Sequence, residues 1–129
     1  MLNQIVLVGR LVRDPELRKS DNGKQYMQVT LAIPRSFKNI SGEYETDFID
    51  CILWDGVAKS TSEYCHKGDI VGLKGRIQSR IYETENEKKY LTEIIGEKVT
   101  FLSSKRQEEA DKWSASFHTL QKVIKYDNI

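Results

Sequence analysis

The sequence predicts an all-β protein in which five strands form a small barrel, with one helix between the third and fourth strands. Several segments alternate apolar and polar residues with a period of two, most regularly at Met27, Val29, Leu31 and Ile33. One segment instead repeats its apolar residues at helical spacing, and it lies between the third and fourth of these strands. With 129 residues, the chain is long enough for a single domain with its own core.

Turn and capping residues set the limits of the elements. The predicted strands span residues 4–13, 25–33, 47–54, 69–82 and 90–101, the predicted helix spans residues 55–67, and residues 35–46 form a hairpin arm and turn. Ser20 to Gly23 and Ser41-Gly42 are strong turn signals, and Pro34 is expected to end the second strand. Asp55 is suited to cap the helix, and Gly68 is suited to follow its last turn.

The first strand is apolar on both faces. Ile5 to Val8 is a continuous β-favouring run, and Gly9 indicates a bulge or a close backbone approach. A strand of this kind is usually covered on both sides, here by the core on one face and by a subunit interface on the other. The sequence therefore favours an oligomer.

The order of elements is that of an OB-fold, a partly open five-stranded barrel used widely for oligonucleotides. Residues 1–103 are assigned to this domain, and residues 104–129 to a separate tail. In the tail, apolar residues recur at the spacing of an amphipathic helix: Trp113, Phe117, Leu120 and Ile124. Such a stripe packs on its own domain, on a sister subunit or on another protein.

The segment D-F-I-D-C-I-L-W, residues 47–54, carries the most informative pattern. As a strand it has one apolar core face, while Phe48, Asp50 and Trp54 lie on the opposite face. The two aromatic residues are then about 20 Å apart, from six steps of about 3.3 Å. An outward face with an aromatic residue at each end is a usable platform for flat ligands.

Binding of single-stranded nucleic acid needs aromatic residues on which bases stack and cations along the backbone path. The candidate stacking residues are Phe37, Phe48, Trp54 and Tyr82. The candidate backbone-contacting residues are Arg18, Arg35, Lys38, Lys67, Lys74, Arg76 and Arg80. A row of cations on a strand is also typical of an ordinary solvated face, and Phe37 fits a packing role equally well.

Composition limits the remaining possibilities. The net charge of +1 gives no overall basic signature, so stacking is expected to lead and phosphate contacts to add salt sensitivity. Cys51 and Cys65 lack metal-site spacing and are expected to be buried thiols. His66 and His118 belong to no catalytic motif, so we expect neither an enzyme nor a metal or cofactor. The absence of a leader and of a membrane-length apolar run predicts a cytoplasmic protein.

Four segments follow one another in a characteristic order and spacing: N-Q-I-V-L-V-G-R-L-V-R-D-P-E-L-R, F-I-D-C-I-L-W, S-E-Y-C-H-K-G-D and G-R-I-Q-S-R-I-Y. On these segments, residues 3–102 resemble the DNA-binding domain of bacterial single-stranded DNA-binding proteins. The resemblance implies a nucleoid-associated homotetramer of OB-folds. Such a protein binds and protects single-stranded DNA, largely independently of sequence, during replication, recombination and repair. The resemblance also implies stacking at Phe37, Phe48, Trp54 and Tyr82, and backbone contacts at Arg18, Lys67 and Arg80.

The tail departs from this family. Members usually continue into a linker rich in glycine, glutamine or proline, with an acidic tip ending in Pro-Phe that recruits replication and repair proteins. This chain ends K-Y-D-N-I. The departure favours an accessory, phage or mobile-element version, in which the stripe from Trp113 to Ile124 provides a different docking mode for replication or recombination proteins.

Two other functions remain open on the sequence alone. The aromatic face also suits a structural adaptor, a replisome subunit whose main surface binds protein. RNA binding is the second, because stacking platforms and phosphate contacts do not by themselves distinguish the sugars.

Overall fold

The computed structural model describes residues 1–104. Its elements are β1 (Ile5–Leu11), β2 (Arg18–Lys19), β3 (Gln25–Lys38), β4 (Tyr44–Trp54), α1 (Asp55–Tyr64), β5 (Ile70–Glu83) and β6 (Lys88–Ser103). The five long strands and the helix occur in the predicted order. The sequence did not predict β2, which is only two residues long and pairs with the start of β3. No helix within residues 1–104 is long and apolar enough to cross a membrane.

The long strands close into a barrel. The sheet order is β1-β5-β6-β4-β3-β2, and β1 also pairs with β3. The pairing of β4 with β6 is parallel, whereas the other pairings are antiparallel. This closed barrel, with its single helix between the third and fourth long strands, confirms the predicted all-β OB-fold.

The core fills the barrel and extends to the inner side of α1. Its buried members are Leu11, Met27, Val29, Leu31, Cys51, Leu53, Ala58, Cys65, Val71 and Leu73. The predicted alternation on β3 and β4 is therefore confirmed. At Gly9 an added Cβ would lie 2.8 Å from Cγ1 of Ile33, which confirms the expected close approach between β1 and β3.

Both cysteine thiols are buried, as predicted. Burial, with a smaller contribution from the neighbouring Asp50 carboxylate, raises the pKa of Cys51 to about 12. Burial also raises the pKa of Cys65, with a further contribution from Asp69. Both side chains therefore act as small apolar groups at neutral pH.

The prediction that Pro34 ends the second strand is wrong. β3 continues through Pro34 to Lys38, and Pro34 lies opposite Thr46 on β4. The register then shifts before Lys38 pairs with Tyr44. Proline is tolerated there because a bulge does not require every backbone N–H to join the ladder.

The predicted helix is too long at its C-terminal end and differs at its cap. It ends at Tyr64, because Cys65 has extended backbone angles (φ −116°, ψ 147°). Gly68 therefore lies beyond the helix, and its N–H donates to the Leu11 carbonyl at 2.8 Å. Trp54 occupies the N-cap position and Asp55 is the first helical residue, so Asp55 is not the cap.

Candidate nucleic-acid interface

The outer face of the β3–β4 hairpin is a ladder of directly opposed residues. The pairs are Ala32–Phe48, Thr30–Asp50, Gln28–Ile52 and Tyr26–Trp54. Because side chains alternate along a strand, all eight lie on the side opposite the core. The side chain of Phe48 is 66% exposed and that of Trp54 is 37% exposed. The predicted face with an aromatic residue near each end is therefore present.

Tyr26 is an aromatic member of this face that the sequence reading did not select. Its ring centroid lies 5.5 Å from that of Trp54, with the ring planes inclined at 40°. The pair is formed because Tyr26 and Trp54 are direct cross-strand partners. Counting the hairpin register back from its turn would have identified Tyr26, but the bulge after Pro34 hides that register in the sequence.

One groove lies beside Trp54 and has a volume of about 570 Å³. We call it the Trp54 groove, and it is lined by Ser20, Asn22, Lys24, Trp54, Asp55, Arg76, Gln78 and Ile95. It brings together a predicted stacking residue and a predicted phosphate contact from different strands. The Arg76 guanidinium donates to the Gln78 side-chain carbonyl at 2.5 Å, which orients it along β5.

A second groove of about 580 Å³ lies beside Tyr26. We call it the Tyr26 groove, and it is lined by Arg13, Asp14, Glu16, Arg18, Tyr26, Gln28, Thr30, Asp50 and Lys67. The predicted cations Arg18 and Lys67 thus meet in one groove. The Lys67 backbone N–H donates to an Asp14 carboxylate oxygen at 2.8 Å, which ties the segment after α1 to the segment after β1. The sequence reading missed Arg13, which follows β1 without a charge pattern of its own.

The two grooves adjoin at the ring pair, because Tyr26 lines one and Trp54 lines the other. Together they form a track with cations on one side of the two aromatic rings and two further cations, Lys24 and Arg76, on the other. On β5, Arg80 and Tyr82 share the parity of Arg76, so the same face continues along that strand. Tyr82 is 52% exposed there, and the Arg80 guanidinium contacts Glu93 at 2.9 Å. Lys74, earlier on the same parity, is half-buried.

Arg35 is held by carboxylates. Its guanidinium contacts Asp47 at 2.9 Å and Glu45 at 2.6 Å. Asp47 has the opposite parity to Phe48 on β4, so Arg35 reaches to the side of the hairpin away from the exposed aromatic face. The hydrogen bond from Arg35 lowers the pKa of Asp47, and the two carboxylates raise the pKa of Arg35.

The remaining predicted residues of this hairpin lie near its tip. Phe37 is 64% exposed, and the Lys38 ammonium lies 5.7 Å from the centre of the Tyr44 ring. Both are available to an approaching ligand, at the end of the hairpin farthest from Trp54. The predicted docking residues Trp113, Phe117, Leu120 and Ile124 lie outside the described residues.

This arrangement suits binding rather than bond-making chemistry. Aromatic rings at the surface can stack on bases, and cations along the rims can contact phosphates. Within residues 1–104 there is no cluster of three or more histidine, cysteine, aspartate or glutamate side chains that could hold a metal ion.

Comparisons with known proteins agree on one family. The model of the single-strand binding protein family matches residues 2–102. The chain is 49% identical over 111 residues to the single-stranded DNA-binding protein B of Bacillus subtilis, covering 85% of this chain and 98% of that protein. It is 47% identical over 107 residues to the single-stranded DNA-binding protein 3 of Listeria innocua, covering 82% of this chain and 67% of that protein. It is 48% identical over 103 residues to the single-stranded DNA-binding protein of Halalkalibacterium halodurans, covering 79% of this chain but only 61% of that protein. The chain therefore belongs to the single-strand binding protein family.

Proposed function

We propose that this protein binds and protects single-stranded DNA, largely independently of sequence, during replication, recombination and repair. The proposal follows from membership of a family of DNA-binding proteins, which are not enzymes, and from relatives named for that ligand. The structural observation that carries it is the exposed aromatic face of the β3–β4 hairpin. Several large aromatic residues gathered on one exposed face beside cations are typical of a ligand-binding surface, whereas a single exposed ring is not.

The residues proposed to contact DNA along the two grooves form a base-stacking set and a backbone-contacting set. Phe48, Trp54 and Tyr82 stack on bases, with Phe37 as a further platform at the hairpin tip. Arg18, Lys67, Arg76 and Arg80 contact the backbone, with Lys38 and Lys74 nearby. Each stacked base contributes about 1–3 kcal/mol, so stacking leads in a protein whose net charge is only +1. We leave Arg35 out of this set because two carboxylates, Asp47 and Glu45, hold it, whereas Arg18 and Arg80 each contact one, Glu16 and Glu93.

A fluorescence titration tests the proposal. The chain has two tryptophans, so a Trp113→Phe variant leaves Trp54 as the sole tryptophan. Single-stranded DNA should quench its emission strongly at both low and moderate salt, because a stacked base contacts the indole ring. Duplex DNA of the same sequence should leave the emission nearly unchanged, since its bases are already stacked on one another.

Paired variants supply the control. Phe48→Ala with Trp54→Ala should weaken binding of a labelled single strand by at least tenfold, from two stacking platforms of about 1–3 kcal/mol each. Tyr64→Ala removes a ring that is 71% exposed but belongs to α1, and it should leave affinity unchanged. If the double variant retained full DNA binding, the favoured function would instead be that of a structural adaptor whose aromatic face binds protein. A matched RNA strand that competes equally well would instead favour RNA as the ligand.

We also propose that the chain assembles as a homo-oligomer, a tetramer by the family resemblance. Support comes from β1, where Val6 and Val8 point away from the core and remain half-buried in the single chain. The tail from Trp113 to Ile124 is proposed to dock a replication or recombination protein.

A further inference from the structure

A carboxylate lies at the middle of a face that is proposed to bind a polyanion. Asp50 is exposed on the outer side of β4, two residues from Phe48 and four from Trp54. It also lines the Tyr26 groove, with three cations and two further carboxylates, of which Asp14 accepts from the Lys67 backbone N–H and Glu16 pairs with Arg18. A carboxylate in this position repels any phosphate that approaches it. It is therefore suited to a hydrogen-bond donor and not to the phosphate backbone.

The Asp50 carboxylate is held in place by its cross-strand neighbour. The Thr30 hydroxyl donates to Oδ1 of Asp50 at 2.5 Å, and Thr30 itself is only 8% exposed. Arg13 in turn donates to the Thr30 hydroxyl oxygen at 3.3 Å. Within residues 1–104, Oδ2 of Asp50 accepts no hydrogen bond, and Oδ1 keeps a second lone pair. The carboxylate is therefore oriented by Thr30 and still has acceptor capacity.

The charges around the groove decide which part of a nucleotide can reach Asp50. Arg18 and Lys67 line the same groove from β2 and from the segment after α1, whereas Asp50 lines it from β4. Phosphates are attracted to the cations and repelled by Asp50, so a bound strand is expected to lie with its backbone toward Arg18 and Lys67 and its bases over the hairpin. A base placed there presents its polar edge to a hydrogen-bond acceptor.

We propose that Asp50 is a base-selective residue, which accepts a hydrogen bond from the exocyclic amino group of cytosine, adenine or guanine and disfavours thymine. Aspartate accepts well from the cytosine N4 amino group, whereas thymine carries the O4 carbonyl at that place, and two acceptors repel. The inference rests on the proposed function, because it requires single-stranded DNA on this face. With this contact, the protein would still bind strands of any sequence, but it would bind strands rich in thymine less tightly.

The test compares two homopolymers of equal length, oligodeoxycytidine and oligodeoxythymidine, at neutral pH. The measured quantity is the ratio of the two dissociation constants, thymidine over cytidine, in wild type and in Asp50→Ala. Removing a negative charge tightens binding of both strands, but that effect cancels in the ratio. We expect the ratio to fall by about threefold to tenfold in Asp50→Ala, the size of one charge-assisted hydrogen bond at a partly exposed site.

Two further variants make the result specific. Asp50→Asn should also lower the ratio, because its amide can donate to thymine O4 as well as accept from cytosine N4. Glu63→Ala removes the same charge from the exposed surface of α1 and should leave the ratio unchanged. An unchanged ratio in both Asp50 variants would overturn base selection while leaving DNA binding intact. Failure of the wild type to bind either homopolymer would instead overturn the proposed function.

Discussion

At the scale of single residues, local charge pairing decides which cations remain available to a ligand. The sequence predicts seven backbone-contacting cations, and the structure places them in different surroundings. Arg35 contacts two carboxylates, Asp47 and Glu45, whereas Arg18 contacts Glu16 at 3.3 Å in the groove that it shares with Lys67. Exposed ion pairs add little to stability, but they compete with a phosphate for the same guanidinium. A cation should therefore be weighted by its neighbours before it is assigned to DNA.

This weighting gives a prediction for Arg35→Gln. We expect single-stranded DNA affinity to change less than twofold, while the pKa of Asp47 rises toward its ordinary value of 3.8. The folded-state pKa of Asp47 is lowered, so its ion pair stabilises the fold above that ordinary value. The stabilisation is lost as pH falls through the folded-state pKa, and the variant should lack this acid-side loss. NMR titration of the Asp47 carboxyl carbon measures the shift.

Lys67→Gln is the matched comparison for Arg35→Gln. It also removes one positive charge, but from the Tyr26 groove. Its affinity should fall, and the slope of log affinity against log salt should become shallower by about 0.7, the loss of one single-strand phosphate contact. If Arg35→Gln produced that change in slope and Lys67→Gln did not, the assignment of the two cations would be reversed.

At the scale of elements, strand alternation was predictable and strand pairing was not. The inner residues of β3 and the exposed aromatics of β4 follow from a period of two, which is local information. Tyr26 was missed because its contact with Trp54 depends on the register across a hairpin that contains a bulge. Pro34 was misjudged for the same reason, since a proline ends a strand only where its missing N–H is needed by a neighbour.

The β5–β6 hairpin shows a second limit of alternation. Ile77 and Ile81 have the same parity as the buried Val71 and Leu73, yet they are 44% and 53% exposed. The strand alternates correctly, but it extends beyond the barrel, where no second layer within residues 1–104 covers the apolar side. Sequence periodicity gives the face of a residue and not the point at which the core ends.

The closing contact between β5 and β6 yields a prediction at this scale. A Cβ at Gly75 would lie 2.0 Å from the Ile95 carbonyl oxygen, so Gly75→Ala must displace backbone where the register shifts. We expect the free energy of unfolding to fall by about 2–4 kcal/mol in chemical denaturation. Gly56→Ala is the control, because nothing lies within 4 Å of a Cβ at that position in α1. That change should be neutral or stabilise by up to about 1 kcal/mol.

Equal stability of the two glycine variants would show that the strands can separate at Gly75 without cost. The barrel would then be less tightly closed there than the pairing indicates. DNA affinity of Gly75→Ala, measured well below its melting temperature, separates a local change at the nearby Trp54 groove from a general loss of folded protein.

At the scale of the whole molecule, the chain divides its proposed tasks between two regions. Every residue proposed to contact DNA lies within residues 1–104, and so does β1 with its outward Val6 and Val8. The tail's apolar stripe belongs neither to the proposed DNA contacts nor to the proposed interface on β1. Assembly and DNA binding should therefore depend on the barrel, and recruitment of another protein should depend on the tail.

Two variants test this division. A chain truncated after Ser104 should keep the oligomeric mass of the full chain in light scattering, and its affinity for single-stranded DNA should stay within about twofold, because the stacking platforms remain. Val8→Glu should lower the oligomeric mass, because a carboxylate buried at a subunit interface without a matched partner is costly. Its own fold should tolerate the change, since Val8 points away from the core and lies opposite Gly72 on β5.

The truncated chain also decides the role of the tail. If the stripe from Trp113 to Ile124 docks a replication or recombination protein, the truncated chain should lose that partner while DNA binding persists. Capture of such proteins on immobilised single-stranded DNA coated with either chain measures the loss directly. If the truncated chain kept both its assembly state and every partner, the tail would have no role in assembly or in docking another protein. Dissociation of the truncated chain would instead place the subunit contact in the tail and not on β1.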